Sequence, residues 1–495
     1  MTLRRTPAGV RRRPERTGRS APARRQARRE QRRRRSLWGR VLVVLPLLAL
    51  TLNACTGAAD SGEDGKSAGE TSREIVVASG RDVTGKNGIR QQLIDAWNRQ
   101  EGDSGYHARL VELPGSADEQ RSQLLGALQS GSARYDVINL DVTWVPEFAA
   151  AKLIRPLSDG AVENPGDIVP SVAGTAEWKG ERYAVPFNSD VGLLYYRRDY
   201  LSASGAQRTD LSKGVTWDEL RQIIDAMNRK RPGDYQAGWT TQLAGYEGRT
   251  VNAIEAFASA VKDFRLTDAD GHYTGSARDL GEGVAELRRR TGSAYTLDNA
   301  VHSDETATLS DFADGRTAFL RHWPYAYGTL YQTFTEKQLG VAPLPGKAVL
   351  GGQNLAVTAA SPQAAKAADL IRYLTDPDSE RCLLDAGFAA TRVSAYADDG
   401  PTCSRVRTSA AAPSVSPTGE STDHMPRDGA GRPKYARDIL LPALRNAVQR
   451  PRTPLYGAFT QTFTTQLGAL FGDRPPSDTA LAEHLDAALR TTLPD

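Results

Sequence analysis

The sequence predicts an α/β protein from its alternating strand and helix signals, and its length and apolar content bound the domain count and the core. Strand and helix signals alternate from Arg73 onward. The 495 residues supply two or three domains' worth of chain. Apolar residues make up 39% of it, enough to build a core. Ile75-Val-Val-Ala78 is a short run suited to a buried strand, and residues 89–100 place Ile89, Leu93, Ile94 and Trp97 at helical spacing. Residues 107–113 alternate as a strand, 120–128 are helical, and Val137-Ile-Asn-Leu140 is a strand again. This order predicts a mostly parallel sheet with helices on both faces. Ligands of such sheets gather beyond the C-terminal strand ends, so Ser79-Gly80-Arg81 and Asp141 should reach that rim. Further along, Thr216 and Glu219 have the spacing of a capping box. Helical pattern returns at 435–448 and 459–471, and Arg450-Pro-Arg-Thr-Pro454 reads as a rigid turn between these closing helices.

The N-terminus is an address rather than a fold. Its first 40 residues hold 16 arginines and two glutamates, and an uncharged run, Val41-Leu-Val-Val-Leu-Pro-Leu-Leu-Ala-Leu50, follows. That run is too short for a membrane span of roughly 20 residues; with the basic stretch and the small Ala54 it has the parts of a secretory signal. Cys55 directly after Ala54 makes the segment resemble a bacterial lipoprotein signal, which implies lipidation at Cys55 and a signal peptide over 1–54. Arg34-Arg35-Ser36-Leu37 loosely resembles a twin-arginine export motif, so the export route stays open. Residues 55–72 are small and polar, a flexible tether. Residues 404–433 lack apolar periodicity and read as a mobile surface insertion.

Charge and cysteine usage narrow the classes. The formal charge of +4 belongs to the tail: without the first 40 residues, 47 basic face 57 acidic residues, a net of −10. A nucleic-acid binder would carry clustered Lys and Arg on its folded part, so none is expected as a partner. Cys382 and Cys403 are the cysteines left after Cys55 and, in an exported protein, read as a disulfide. The alternative is two free thiols. No Cys/His cluster has metal-ligand spacing, no phosphate loop is present, and neither metal nor cofactor is expected.

Several segments together resemble the extracellular solute-binding proteins (family 1) of ABC sugar importers, the maltose/trehalose group. They are Tyr135-Asp-Val-Ile-Asn-Leu-Asp-Val-Thr-Trp-Val-Pro-Glu-Phe148 with Leu153-Ile-Arg-Pro-Leu157, and Tyr183-Ala-Val-Pro-Phe-Asn-Ser-Asp-Val-Gly-Leu-Leu-Tyr-Tyr196. Thr216-Trp-Asp-Glu-Leu220, Gly245-Tyr-Glu-Gly248, Gly315-Arg-Thr-Ala-Phe319 and Trp323-Pro-Tyr-Ala326 continue the series. Gly351-Gly352, Leu355-Ala-Val357 and Arg450-Pro-Arg-Thr-Pro-Leu-Tyr456 complete it. The resemblance implies a two-lobed periplasmic-binding-protein-like (type II) fold with a central cleft. Lobe 1 would use 73–187 and 353–398, lobe 2 188–352 and 399–495. It further implies a monomer on the outer face of the cell membrane that hands its ligand to a permease and is not an enzyme.

For a sugar, the resemblance points to Asp141 and Glu247 as hydroxyl acceptors, Asn188 as an amide from the crossover, Trp323 as a stacking platform and Arg392 as a donor to ring or hydroxyl oxygens. Carboxylates form charge-assisted bonds roughly twice as strong as neutral ones, and aromatic faces cover C–H-rich sugar faces. Ser79, Arg81, Trp144, Asp190, Tyr246, Tyr325 and Gly352 are second-rank candidates. A structural role competes at four positions. Trp323 could pack a core, Asp141 cap the next segment, Glu247 serve a helix N-terminus, and Arg392 pair with Asp398 or Asp399. Two other classes compete with the binder: an exported glycosidase, which needs two opposed carboxylates, and a structural surface lipoprotein without a ligand.

Overall fold

A computed structural model of the protein describes residues 73–81, 88–397, 399, 403–406 and 425–494. Cys55, the signal segment 1–54 and the tether 55–72 lie outside the described residues, as does the middle of the expected insertion, 407–424. Every described residue belongs to one compact unit, Thr71–Asp495. Among the described residues, no helix is long and apolar enough to cross a membrane.

The strands are β1 (Glu74–Gly80), β2 (His107–Leu113), β3 (Val137–Asp141), β4 (Glu177–Trp178), β5 (Glu181–Arg182), β6 (Val185–Val191), β7 (Leu193–Arg197), β8 (Ala237–Thr240), β9 (Thr317–His322), β10 (Leu339–Pro343) and β11 (Leu350–Val357). They make a five-stranded sheet ordered β2-β1-β3-β11-β6, a four-stranded sheet ordered β10-β7-β9-β8 and the small pair β4-β5. The chain leaves the first sheet at Gly192, between β6 and β7, and returns between β10 and β11. Residues of β1 and β3 are buried almost throughout, as apolar runs covered on both faces must be.

The expected parallel sheet is realised in part. β1 pairs in parallel with both β2 and β3, with the helix Ile89–Gln100 between β1 and β2 and the helix Ala117–Gln129 between β2 and β3. β11 runs antiparallel to β3 and β6, and in the second sheet only β8 and β9 are parallel. The departures fall where the chain returns from the other sheet, so no local strand-helix-strand unit dictates direction.

Local chemistry sets the helix starts. Ser116 with Glu119 and Thr216 with Glu219 each form a full capping box. The expected helix at 435–448 is shorter and begins with a π turn, Ala436–Leu440, before Leu441–Asn446. Pro442 explains the irregular start, because it has no N–H to give the carbonyl of Asp438. The helix expected at 459–471 occupies Tyr456–Gly468 and ends in the 3₁₀ turn Ala469–Phe471.

Cys382, on the helix Pro377–Asp385, is joined to Cys403. The described part of the expected mobile insertion is anchored. Arg432 is buried and donates to the carbonyl of Tyr396 at 2.7 Å, Asp399 at 2.8 Å and Asp428 at 2.8 Å. Its composition hid this, because one buried guanidinium ties down a segment with few apolar residues.

Candidate ligand-binding cleft

The ends of β3, β6 and β11 converge with the starts of two helices, Ala117–Gln129 and Glu247–Ala260, around a cleft of about 250 Å³. Two glycines make room for it. A side chain on Gly352, at φ +103°, would sit 2.4 Å from the carbonyl oxygen of Asn188. One on Gly351 would meet both Asp190 and the ring of Trp323 at 3.2 Å.

Opposite charges meet at one side. Arg450 donates from Nη2 to Oδ1 of Asp141 at 2.8 Å and from Nη1 to Oε1 of Glu247 at 2.7 Å. Its side chain is 2% exposed, against 20% for Asp141. Tyr456 Oη also donates to Glu247 Oε1, and Thr460 Oγ1 donates to its Oε2 at 2.8 Å. The backbone N–H of Glu247, the first residue of its helix, donates to Asp118 Oδ2 at 3.2 Å. Burial pushes the carboxyl of Glu247 up while Arg450 pulls it down, and the net shift is upward. Burial likewise raises Asp118, against the pull of that N–H. Asp141 accepts from the backbone N–H of Thr143 at 2.9 Å as well, so it caps the next segment and lines the cleft together.

Aromatic groups form another wall. Trp323 follows β9, is half-buried, and donates from Nε1 to Glu305 Oε1 at 3.3 Å. Tyr246 Oη donates to the other oxygen of Glu305 at 2.6 Å. The Arg321 guanidinium lies 3.9 Å from the Trp323 ring centroid and is itself held by Glu255 at 2.6 Å. Asp190 faces the same space, and its Oδ1 is buried without a hydrogen-bond partner. Burial pushes its carboxyl up to about 7, against the opposing pull of Arg90.

Asp141, Glu247, Trp323, Trp144, Asp190, Tyr246, Tyr325 and Gly352 all line this cleft. The other predicted residues do not. Ser79 and Asn188 are buried as acceptors for Arg90, which donates to Ser79 Oγ at 3.0 Å and Asn188 Oδ1 at 3.1 Å. Arg90 also donates to Gln353 Oε1 at 2.7 Å, so the network supports a cleft residue from beneath. Arg81 is exposed at the end of β1. Arg392 is a correction: it is buried and donates to the carbonyls of Thr375 at 2.7 Å and Asn164 at 3.2 Å, with Asp167 3.7 Å away. Its described hydrogen bonds go to these carbonyls rather than to Asp399, and Asp398 lies outside the described residues. Arg450, Glu305, Asn139 and Gln353 line the cleft and are not among the site residues expected from the sequence. Arg450 lies in a segment that carried the family resemblance, which was its available signal.

Two sheets with a crossover cleft between carboxylates and aromatic rings define a two-lobed binding protein, and the fold agrees with solved members of that class. Maltose-bound MalE3 of T. maritima superposes with a TM-score of 0.67 at 24% identity, covering 85% of this chain and 100% of that one. The GacH receptor of Streptomyces glaucescens, solved unliganded and with acarbose, gives a TM-score of 0.65 at 19% identity over 85% and 98% of the chains. The family model for bacterial extracellular solute-binding proteins matches residues 92–403, and the chain belongs to that family. A probable ABC transporter-binding protein of Deinococcus radiodurans is 30% identical over 316 residues, 61% of this chain and 73% of the relative. The maltotriose-binding protein of Pyrococcus abyssi is 23% identical over 208 residues, 41% and 40% of the two chains. The protein is therefore a substrate-binding component of an ABC transporter.

Proposed function

We propose that the protein captures a neutral di- or short oligosaccharide of the trehalose/maltose type outside the cell and delivers it to a membrane permease, held at the surface by a lipid on Cys55. The observation that carries this reading is the cleft itself, where Asp141, Asp190, Glu247 and Glu305 stand around the indole of Trp323. Four carboxyls can accept hydroxyl protons, and the ring faces suit C–H groups. At about 250 Å³, just under the about 300–1,000 Å³ of typical ligand sites, the cleft favours the short end of that range. The names of the maltose- and maltotriose-binding proteins above support the same class.

We assign lobe 1 to 73–187 with 353–398 and lobe 2 to 188–352 with 399–495; the boundaries at 187/188 and 352/353 fall inside β6 and β11, so strand pairing moves the passages between lobes to Gly192 and to the stretch before β11. Ligand contacts drawn from both favour the closed form, and the equilibrium shifts only by the ligand's differential affinity for the two states. The permease then recognises that form, and the ATP is hydrolysed by a separate subunit. The two leading carboxylates share one guanidinium, which supports binding over glycoside hydrolysis, where one acid and one base must work independently.

Intrinsic tryptophan fluorescence tests the reading. Trehalose, maltose or maltotriose should give a saturable change and spermidine none; a response to spermidine and to no sugar refutes it. Incubation with labelled oligosaccharide should leave the label intact over hours. Replacing Cys55 with serine should move the protein from the membrane fraction to the medium.

A further inference from the structure

A second cavity, of about 500 Å³, lies between the segment after the helix Glu247–Ala260 and the stretch that carries Arg450. Arg450 lines both this cavity and the cleft. Its remaining walls combine cations with apolar surface. Arg265 and Lys347 are exposed, and neither side chain has a carboxylate or hydrogen-bond partner among the described residues. Arg452 donates its guanidinium to the backbone carbonyls of Gly174 and Glu177, with the Glu177 carboxylate as its opposing charge. Of the two acids present, Asp268 already accepts from the N–H groups of Asp270 and His272 and faces the His272 ring at 3.2 Å. Asp263 and Asp268 are the two carboxylates among the lining residues, against four cations, Arg265, Lys347, Arg450 and Arg452. The Nε of Arg450 is buried without a partner. Phe264, Leu266, Val448 and Pro451 supply the apolar part.

We infer that this cavity is a second binding site, for a small organic anion with an apolar body, distinct from the cleft and sharing one wall with it. Cations without carboxylate partners attract a phosphate or carboxylate headgroup, and the ring and aliphatic walls cover the remainder. Since Arg450 holds Asp141 and Glu247 in the cleft, occupancy of one site should alter affinity at the other by the same factor in both directions.

The probe is phenyl phosphate, titrated calorimetrically into the full chain. Binding should saturate with a Kd below about 1 mM and weaken on raising salt, as exposed charges are screened. The double variant Arg265→Glu, Lys347→Glu should bind the probe at least tenfold more weakly while its tryptophan response to sugar persists. Trp323→Ala should leave probe binding unchanged. No saturable heat in the wild type overturns the inference, as does a double variant that binds like the wild type. Loss of the probe in Trp323→Ala also overturns it, because the anion would then occupy the cleft. These outcomes stand whether or not the cleft proves to bind sugar.

Discussion

Asp141 and Glu247 share one counter-charge: the two nitrogens of the Arg450 guanidinium bond one carboxylate each, at 2.8 Å and 2.7 Å. The strand β3 and the helix Glu247–Ala260 are thus joined by a residue from the turn between the helices Leu441–Asn446 and Tyr456–Gly468. Burying the cation raises the cost of its charge, yet the two carboxylates outweigh that cost, and the guanidinium is held even more firmly protonated than usual.

Arg450→Met therefore leaves two carboxylates without their partner. Removing one member of a buried ion pair costs about 3–5 kcal/mol. Urea unfolding of the ligand-free variant should show a loss of that order, while an unchanged midpoint would show that Tyr456 and Thr460 suffice to hold Glu247.

Asp190 makes stability depend on pH. Its carboxyl is raised from 3.8 to about 7 in the folded state, so between those values the native protein holds a proton that the unfolded chain has lost. Its contribution to stability is fully present below the unfolded value and is lost as pH rises toward 7, by up to about 1.4 kcal/mol per pH unit. Asp190→Asn should remove that component. The difference in stability between wild type and variant, followed from pH 4 to 8, should change over this window; a constant difference would mean that Asp190 is ionised throughout.

Trp323→Ala should weaken sugar binding by about 1–3 kcal/mol, the effect of an aromatic anchor in a pocket. Arg321 occupies one face of the ring, so the opposite face is left to the ligand. Unchanged affinity would return Trp323 to a packing role.

Reducing the Cys382–Cys403 bond, which spans a separation of 21 residues, should lower stability by about 3 kcal/mol in the chain-entropy account. Unfolding of Cys382→Ser, Cys403→Ser against the wild type measures it, and no difference would assign the stability of this region to Arg432 and its partners.

What could be read in the sequence follows the range of the interactions involved. The elements from β1 to β3 were legible because periods of 2 and 3.6 are local and their connections short. The antiparallel return of β11 depends on chain that has travelled through the other sheet, and no local signal encodes it. Asp141, Glu247 and Trp323, which line the cleft, are legible as candidates because their segments carry the family resemblance. Arg450 was passed over because Arg-Pro-Arg-Thr-Pro has strong turn chemistry, while its partners lie far away in sequence. Arg392 misled for the converse reason: nothing local shows that its guanidinium sinks onto the carbonyls of Thr375 and Asn164.

Calorimetry of the purified chain across a panel of trehalose, maltose, maltotriose, mannitol and spermidine tests the central claim most directly. Saturable heat from at least one of the three sugars, weakened in Trp323→Ala, is the result predicted. Heat from spermidine or mannitol with none from any of the sugars would contradict it.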